Sequence, residues 1–257
     1  MLIRAATDDD IPDMAYVAAD ANVNDPLDAY FYSHRFAHPA SYRKAYIKTI
    51  TRMFQARSNL YPIVAVLEAG DADYDVAPGI VGFSVWQRVC VAEDPHEHQH
   101  AKKRALAHSI KSAVAPIRCL FTILANQAAS RRATLRAGFE QWFPCCQSTS
   151  FNYHNGPYQM PSDFFRCREI VVEPRFQRRG IGEKMMRYGM EMARGAGVPL
   201  FLRASAVGAP LYRRLGFESI GWWRCNLAEG LERELMRWDP PARAEESEEQ
   251  KCGRERT

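Results

Sequence analysis

The sequence has no apolar run approaching the ~18 residues that a membrane-crossing helix requires, which excludes a helical transmembrane protein. It has no Cys-x-x-Cys pair, so a zinc ribbon has no support. Its seven cysteines, at 90, 119, 145, 146, 167, 225 and 252, are odd in number and irregularly spaced. A chain of 257 residues can build a core without staples, so free thiols in a reducing compartment are expected, not a disulfide framework. Residues 1–10 lack the basic-then-apolar layout of an export signal, and a cytoplasmic location is expected. A strong charge of one sign is also missing. A formal net charge of +4 is too mild to argue for nucleic acid, and neither a nucleic-acid nor a membrane partner is expected.

What is present is the makeup of a globular domain, 47% hydrophobic and 25% charged. The charge is unevenly placed. In residues 1–28 seven aspartates stand against Arg4 alone, whereas residues 166–187 hold seven basic and three acidic side chains. Beyond Trp238 there are six acids, four bases and few apolar residues. Such a tail buries too little surface to offset its ordering entropy, so residues 239–257 are expected to be disordered.

Strand and helix patterns alternate along the chain. Residues 2–5 read as an opening strand, and Thr7 or Asp8 can cap a helix bearing Ile11, Met14, Val17 and Ala18 at helical spacing. A break at 22–26 precedes one further helical region over 30–54. Two β-branched runs, 61–68 and 79–87, flank a turn-rich stretch and read as a hairpin. Asp94-Pro95 can start a helix reaching about 114, residues 125–137 look helical, and 144–162 look like loop. Then follow a strand over 169–172, a helix over 182–196, a strand over 199–204, a short helix over 210–215, and strands over 217–223 and 234–238. Ile181, Met185, Tyr188, Met192 and Ala196 form the apolar face of the longer helix. The alternation favours an α/β or α+β sheet with helices on both faces.

The segment Val171-Val172-Glu173-Pro174-Arg175-Phe176-Gln177-Arg178-Arg179-Gly180-Ile181-Gly182 joins a strand to a helix through a basic, glycine-bearing turn. Glycine lets the backbone turn tightly and approach a ligand. The amides of such a turn, with the helix dipole behind them, form a site for a diphosphate; a plain structural turn is the alternative. The spacing is not that of a Walker phosphate loop, nor that of a dinucleotide fingerprint.

The order Gln-x-x-Gly-x-Gly after a Val-x-Pro strand end resembles the acetyl-CoA-binding signature of the GNAT acetyltransferase superfamily, with Gln177, Gly180 and Gly182 at its specified positions. Downstream, 198–205 and Pro210-Leu211-Tyr212-Arg213-Arg214-Leu215-Gly216-Phe217 are similar to the family's next strand, helix and Leu-Gly-Phe turn. The specific likeness covers about 165–223. Residues 2–19 match in pattern only, and 90–165 do not match.

The resemblance implies one domain over 1–238 with a central mixed, mostly antiparallel sheet, helices on both faces and a helical or loop insertion at about 90–165. It implies acetyl-CoA as acyl donor substrate, no metal, and transfer of the acetyl group to a primary amine of a small molecule by direct attack in a ternary complex. A protein or peptide acceptor and a non-catalytic acyl-CoA-binding module are the rival readings. Backbone groups near Val171 and Val172 are expected to meet the pantetheine arm, and Gln177, Arg178, Arg179, Gly180, Ile181 and Gly182 the pyrophosphate. Ser205 falls where the family commonly has a polar group near the cofactor. Tyr212 falls where it often keeps a tyrosine that protonates the departing thiolate; packing of its short helix is the alternative. Glu169 and Glu173 share a face of the strand. Glu169 is the better candidate for the general base, though each could pair with Arg168 or Arg175 instead. Asp25 and Asp28 could attract a cationic amine, and Tyr30, Phe31 and Tyr32 leave room for an arylalkyl acceptor.

Rival signals are weaker. His96, His98 and His100 alternate, but they follow Asp94-Pro95 and precede Lys102-Lys103-Arg104, as a solvated helix start would. Residues 126–140 faintly echo the Leu-Gly-Phe region, yet no Gln-x-x-Gly-x-Gly precedes them and Thr134 stands in the place of Tyr212.

Overall fold

Four residues, Leu2–Ala5, open the sheet as strand β1 in the computed structural model, which describes residues 1–55, 59–71, 74, 79–90, 160–224 and 232–241. A 3-10 turn at Asp8–Asp10 leads into α1 (Ile11–Asn22), then α2 (Pro26–Phe31) and α3 (Pro39–Gln55). Strands β2 (Leu60–Val66), β3 (Ile80–Cys90) and β4 (Asp163–Val172) follow. The chain continues through α4 (Ile181–Ala196), β5 (Leu200–Ala204), α5 (Ala209–Arg214), β6 (Glu218–Arg224) and β7 (Glu232–Trp238). The seven strands form one sheet in the order β1-β2-β3-β4-β5-β7-β6. Every neighbouring pair is antiparallel except β4 and β5, which α4 joins as a parallel crossover. The expected mixed, mostly antiparallel sheet is therefore present, with helices on both faces.

Pattern explains the layers. Residues 80–86 of β3 are buried without alternation, as befits a central strand covered on both sides. On one face Met14, Val17 and Ala18 of α1 and Tyr42, Tyr46 and Ile50 of α3 pack on Val64, Phe83, Val85 and Val171. On the other, Ile181, Met185, Met186 and Met190 of α4 pack with Trp86, Leu200, Leu202 and Met236. The buried stripe of α4 differs from the expected one. Gly189 and Ala193 face inward while Tyr188 is exposed, and the fully buried Trp86 ring occupies the space a side chain at 189 would need.

The helical region expected over 30–54 is two helices. Proline at the first position of α3 has no N–H to donate and disfavours helical backbone at the preceding residue, so a helix cannot run through it. The Arg35 guanidinium fixes the connection by donating to the carbonyls of Val23 and Tyr32. The helices expected over 94–114 and 125–137, the histidine run, the loop over 144–159 and tail residues 242–257 lie outside the described residues.

The start of the chain is anchored by Asp10. Its carboxylate accepts from Arg4 at 2.7 and 2.8 Å and from the Thr7 amide at 2.7 Å, which holds it down at about 2. A carboxyl whose folded pKa lies below its unfolded value stabilises the fold above the unfolded pKa and loses that effect as pH falls through the folded one. Asp10→Asn is therefore expected to lower the urea midpoint at pH 7, by an amount that shrinks as pH falls from about 4 toward 2.

Candidate active site

Strands β4 and β5 pair at only two positions, Phe165 with Leu200 and Arg166 with Phe201. Beyond Arg166, β4 continues to Val172 on β3, while β5 continues to Ala204 on β7. The sheet therefore splits between its fourth and fifth strands, and two backbone edges face each other without a ladder between them among the described residues. Unpaired backbone inside a sheet is costly unless water or a ligand satisfies it. An extended chain bearing amides fits such a gap.

A bulge re-aims β4 at this point. Val85 lies opposite Glu169 and Trp86 opposite Cys167, so Arg168 is an extra residue on β4. Glu169 falls on the α1–α3 face with Val171, within electrostatic reach of Asp28, and its charge also raises the Tyr46 phenol. No described residue donates a hydrogen bond to the Glu169 carboxyl or forms an ion pair with it. Burial, helped by the charge on Asp28 and opposed by Arg168, pushes Glu169 up to about 7.

At the far end of β4 the turn is tightly determined. Glu173 is buried and accepts from the Arg175 amide at 2.9 Å and from its guanidinium at 2.8 Å, closing a 3-10 turn at Pro174–Phe176. That pairing makes Glu173 a structural residue, in line with the alternative reading of the sequence. The Gln177 side-chain amide donates to the Val172 carbonyl at 3.0 Å, tying the turn to the split strand. Arg178 then adopts φ of 63° and Gly180 φ of 80°, both left-handed. For arginine that conformation is strained, and strain of this kind gathers at ligand sites. Alternation of right- and left-handed residues aims successive amides at one point. Among the described residues, the amides of Arg178, Gly180, Ile181 and Gly182 donate to no protein group, and α4 begins directly behind them.

The opposite wall comes from α5. Ser205 accepts from the Gly208 amide through its hydroxyl at 3.2 Å and through its carbonyl at 3.0 Å, so it shapes the start of that helix. The Tyr212 ring is buried against Phe217, at 6.0 Å between centroids. A Cβ added at Gly208 would lie 3.3 Å from both the Ser205 and the Tyr212 hydroxyl, which places the two together. Burial raises the Tyr212 phenol above its usual value, and the nearby Cys167 thiol adds to this. Cys167 is raised by its own burial and by the charge of the nearby Glu169. Cys90 and Cys167 are both free thiols, as expected.

On the Glu169 side the sequence reading missed a cluster. Asp28 is buried, and its Oδ2 accepts from the hydroxyls of both Tyr42 and Tyr46, the latter at 2.7 Å. The rings of Tyr32, Tyr42 and Tyr46 stand edge-on to one another at 5.2 and 5.3 Å. The i, i+4 spacing of the two tyrosines on α3 was the available signal, but nothing in it points to a residue on another helix. Asp25 is a different case. It caps α2 and pairs with Arg233 at 2.7 Å, which occupies it structurally. Among the described residues no group of three His, Cys, Asp or Glu side chains could hold a metal, and no helix is long and apolar enough to cross a membrane.

Residues 145–219 match the family model described as an acetyltransferase (GNAT) domain. A curated acetyltransferase from Stachybotrys chartarum is 42% identical over 55 residues. The match takes in 21% of this chain and 24% of that protein, so the chain aligns with about a quarter of that relative's length. A solved structure from Corynebacterium glutamicum, described as histone acetyltransferase HPA2 and related acetyltransferase, is 19% identical, with 93% of this chain and 96% of that one covered at a TM-score of 0.51. At that identity it speaks to the fold alone.

Proposed function

We propose that the chain, whose residues 145–219 match an acetyltransferase (GNAT) domain, moves an acetyl group from acetyl-CoA to a primary amine of a small molecule, by direct attack within a ternary complex. The observation that carries the reading is the unpaired Glu169 carboxyl at the foot of a split sheet whose other end is a turn of open amides.

Each part has a physical role. The amides of Arg178, Gly180, Ile181 and Gly182 receive the pyrophosphate, with the α4 dipole and the charges of Arg178 and Arg179 behind them. Gln177 acts indirectly, by holding the turn to Val172. The exposed backbone of β4 through Val171 and Val172 pairs with the pantetheine amides and polarises the thioester carbonyl. Glu169 takes a proton from the acceptor ammonium or from the attacking nitrogen. As the carbon–sulfur bond breaks, Tyr212 gives its proton to the departing thiolate; its raised pKa keeps that proton in place at neutral pH. Ser205 supports the acid by setting the start of α5.

A small acceptor is favoured by α2. This helix is tied to the C-terminal strands through Asp25–Arg233 and through Leu27 against Trp223, and to α3 through Asp28. It straps the acceptor side of the split, where a peptide would need an open groove.

Calorimetry with acetyl-CoA, then thiol release over arylalkylamines, polyamines, amino acids and peptides, tests the proposal. Uptake of acetyl-CoA with release on small amines is expected. No uptake, or uptake with no release for any amine, overturns the catalytic reading; release with peptides alone overturns the small acceptor. Gln177→Ala is expected to raise KM for acetyl-CoA about 5-fold, the worth of roughly one hydrogen bond, with kcat little changed. Steady-state kinetics with acetyl-CoA varied at a saturating acceptor concentration checks it.

A further inference from the structure

We propose that Asp28, held by the hydroxyls of Tyr42 and Tyr46, is a positioning residue that works through Glu169: its buried negative charge makes Glu169 a stronger base toward the acceptor amine. The inference rests on the catalytic reading above and assigns a role to a cluster that reading does not use.

The geometry supports it in three ways. Asp28 is only 8% exposed, so its charge is poorly screened and acts over several ångströms. Both tyrosine hydroxyls converge on Oδ2, and among the described residues Oδ1 accepts from none, so the charge is fixed in position without being neutralised. Tyr46, hydrogen-bonded to Asp28, packs in the same buried cluster as Val85, which lies opposite Glu169, and Val171, two residues along β4 from it.

The surrounding charges agree. Facing Asp28 are Asp25 at the start of its own helix, Tyr32 and Arg35 of the segment after it, Tyr42 and Tyr46 of α3, and Glu169 of β4. The Arg35 guanidinium donates to the Val23 and Tyr32 carbonyls, and its charge offsets part of that on Asp28. Facing Glu169 are Arg168 and Cys167 of its own strand, Tyr46 and Asp28. Burial raises Asp28 to about 6, against the pull of its two tyrosines, so both carboxyls titrate near neutrality and each disfavours ionisation of the other.

Asp28→Asn keeps an acceptor for the two hydroxyls and removes the charge. The limb of the kcat/KM profile that rises with pH is expected to move about one unit to lower pH, with the plateau reduced several-fold, because a weaker base draws the proton less well. A merely structural residue would lower the plateau and leave the midpoint in place, and that result overturns the proposal. Carboxyl titration by isotope-edited infrared spectroscopy gives a reading without turnover, and in the Glu169→Gln variant it decides the matter even where the Asp28→Asn chain fails to fold. Coupling is reciprocal, so in Glu169→Gln the Asp28 midpoint must fall; an Asp28 midpoint equal to that of the wild type overturns the proposal. If no amine releases thiol, the catalytic reading fails while the infrared titration still decides the coupling.

Discussion

Glu169→Gln is expected to lower kcat/KM for the acceptor about 10²- to 10⁴-fold at pH 7.5, the usual range for loss of a positioned base. The pH dependence should change with it. A base must be deprotonated to act, so wild-type kcat/KM is expected to rise as pH rises through about 7, the value to which burial and Asp28 push this carboxyl. In the glutamine variant that rise disappears. Stability moves the other way. A carboxyl whose folded pKa exceeds its unfolded one favours the fold below the unfolded value, and that advantage is lost as pH climbs through the folded one. Above pH 7 the native state carries an ionised, poorly solvated Glu169, and glutamine relieves it. The melting temperature of the variant at pH 8 should therefore equal or exceed that of the wild type, separating a chemical loss from a structural one. A variant that melts lower and keeps the rise with pH would assign the base elsewhere.

Gly189→Ala is expected to destabilise the protein by about 2 kcal/mol, roughly 4–8 °C in Tm. Glycine inside a helix normally costs about 0.5–1 kcal/mol relative to alanine, so on propensity alone the change should help. Here a Cβ would lie 2.4, 2.4 and 2.5 Å from three atoms of the Trp86 ring. The ring is fully buried at the centre of β3, and neither it nor the α4 backbone can move aside without disturbing the β3–β4 ladder. Removing the obstruction should show the cause. In a Trp86→Leu background the same glycine change should cost much less, and a double-mutant cycle over thermal melts measures the coupling. Equal cost in both backgrounds would mean that the contact is not responsible.

These two sites show what is legible in the residue string. Glu169 stands in a strand that reads plainly from its β-branched neighbours, and the turn after it is legible because Gln-x-x-Gly-x-Gly carries its own spacing. The left-handed Arg178 is not, since arginine has no propensity for that conformation and the surrounding turn imposes it. Gly189 reads as an ordinary weak point in a helix; only the Trp86 ring, about a hundred positions earlier, makes it necessary. Helical periodicity puts Tyr188 on the wrong face, because the inward position next to it is a glycine and carries no apolar signal. The Asp28 cluster joins residues 14 and 18 positions apart across two helices, beyond the reach of that periodicity. The place of β7 between β5 and β6 depends on long-range pairing, which no local pattern encodes.

The six residues of α2 have a mechanical consequence. One attachment, Asp25 to Arg233, belongs to the β5–β7–β6 arm; the other, Asp28 to Tyr42 and Tyr46, belongs to the arm built on β3 and β4. Prising the arms apart stretches that short span, and drawing them together slackens it. A change in the separation of the two arms therefore has to be taken up within these few residues, or by release of one of the two attachments.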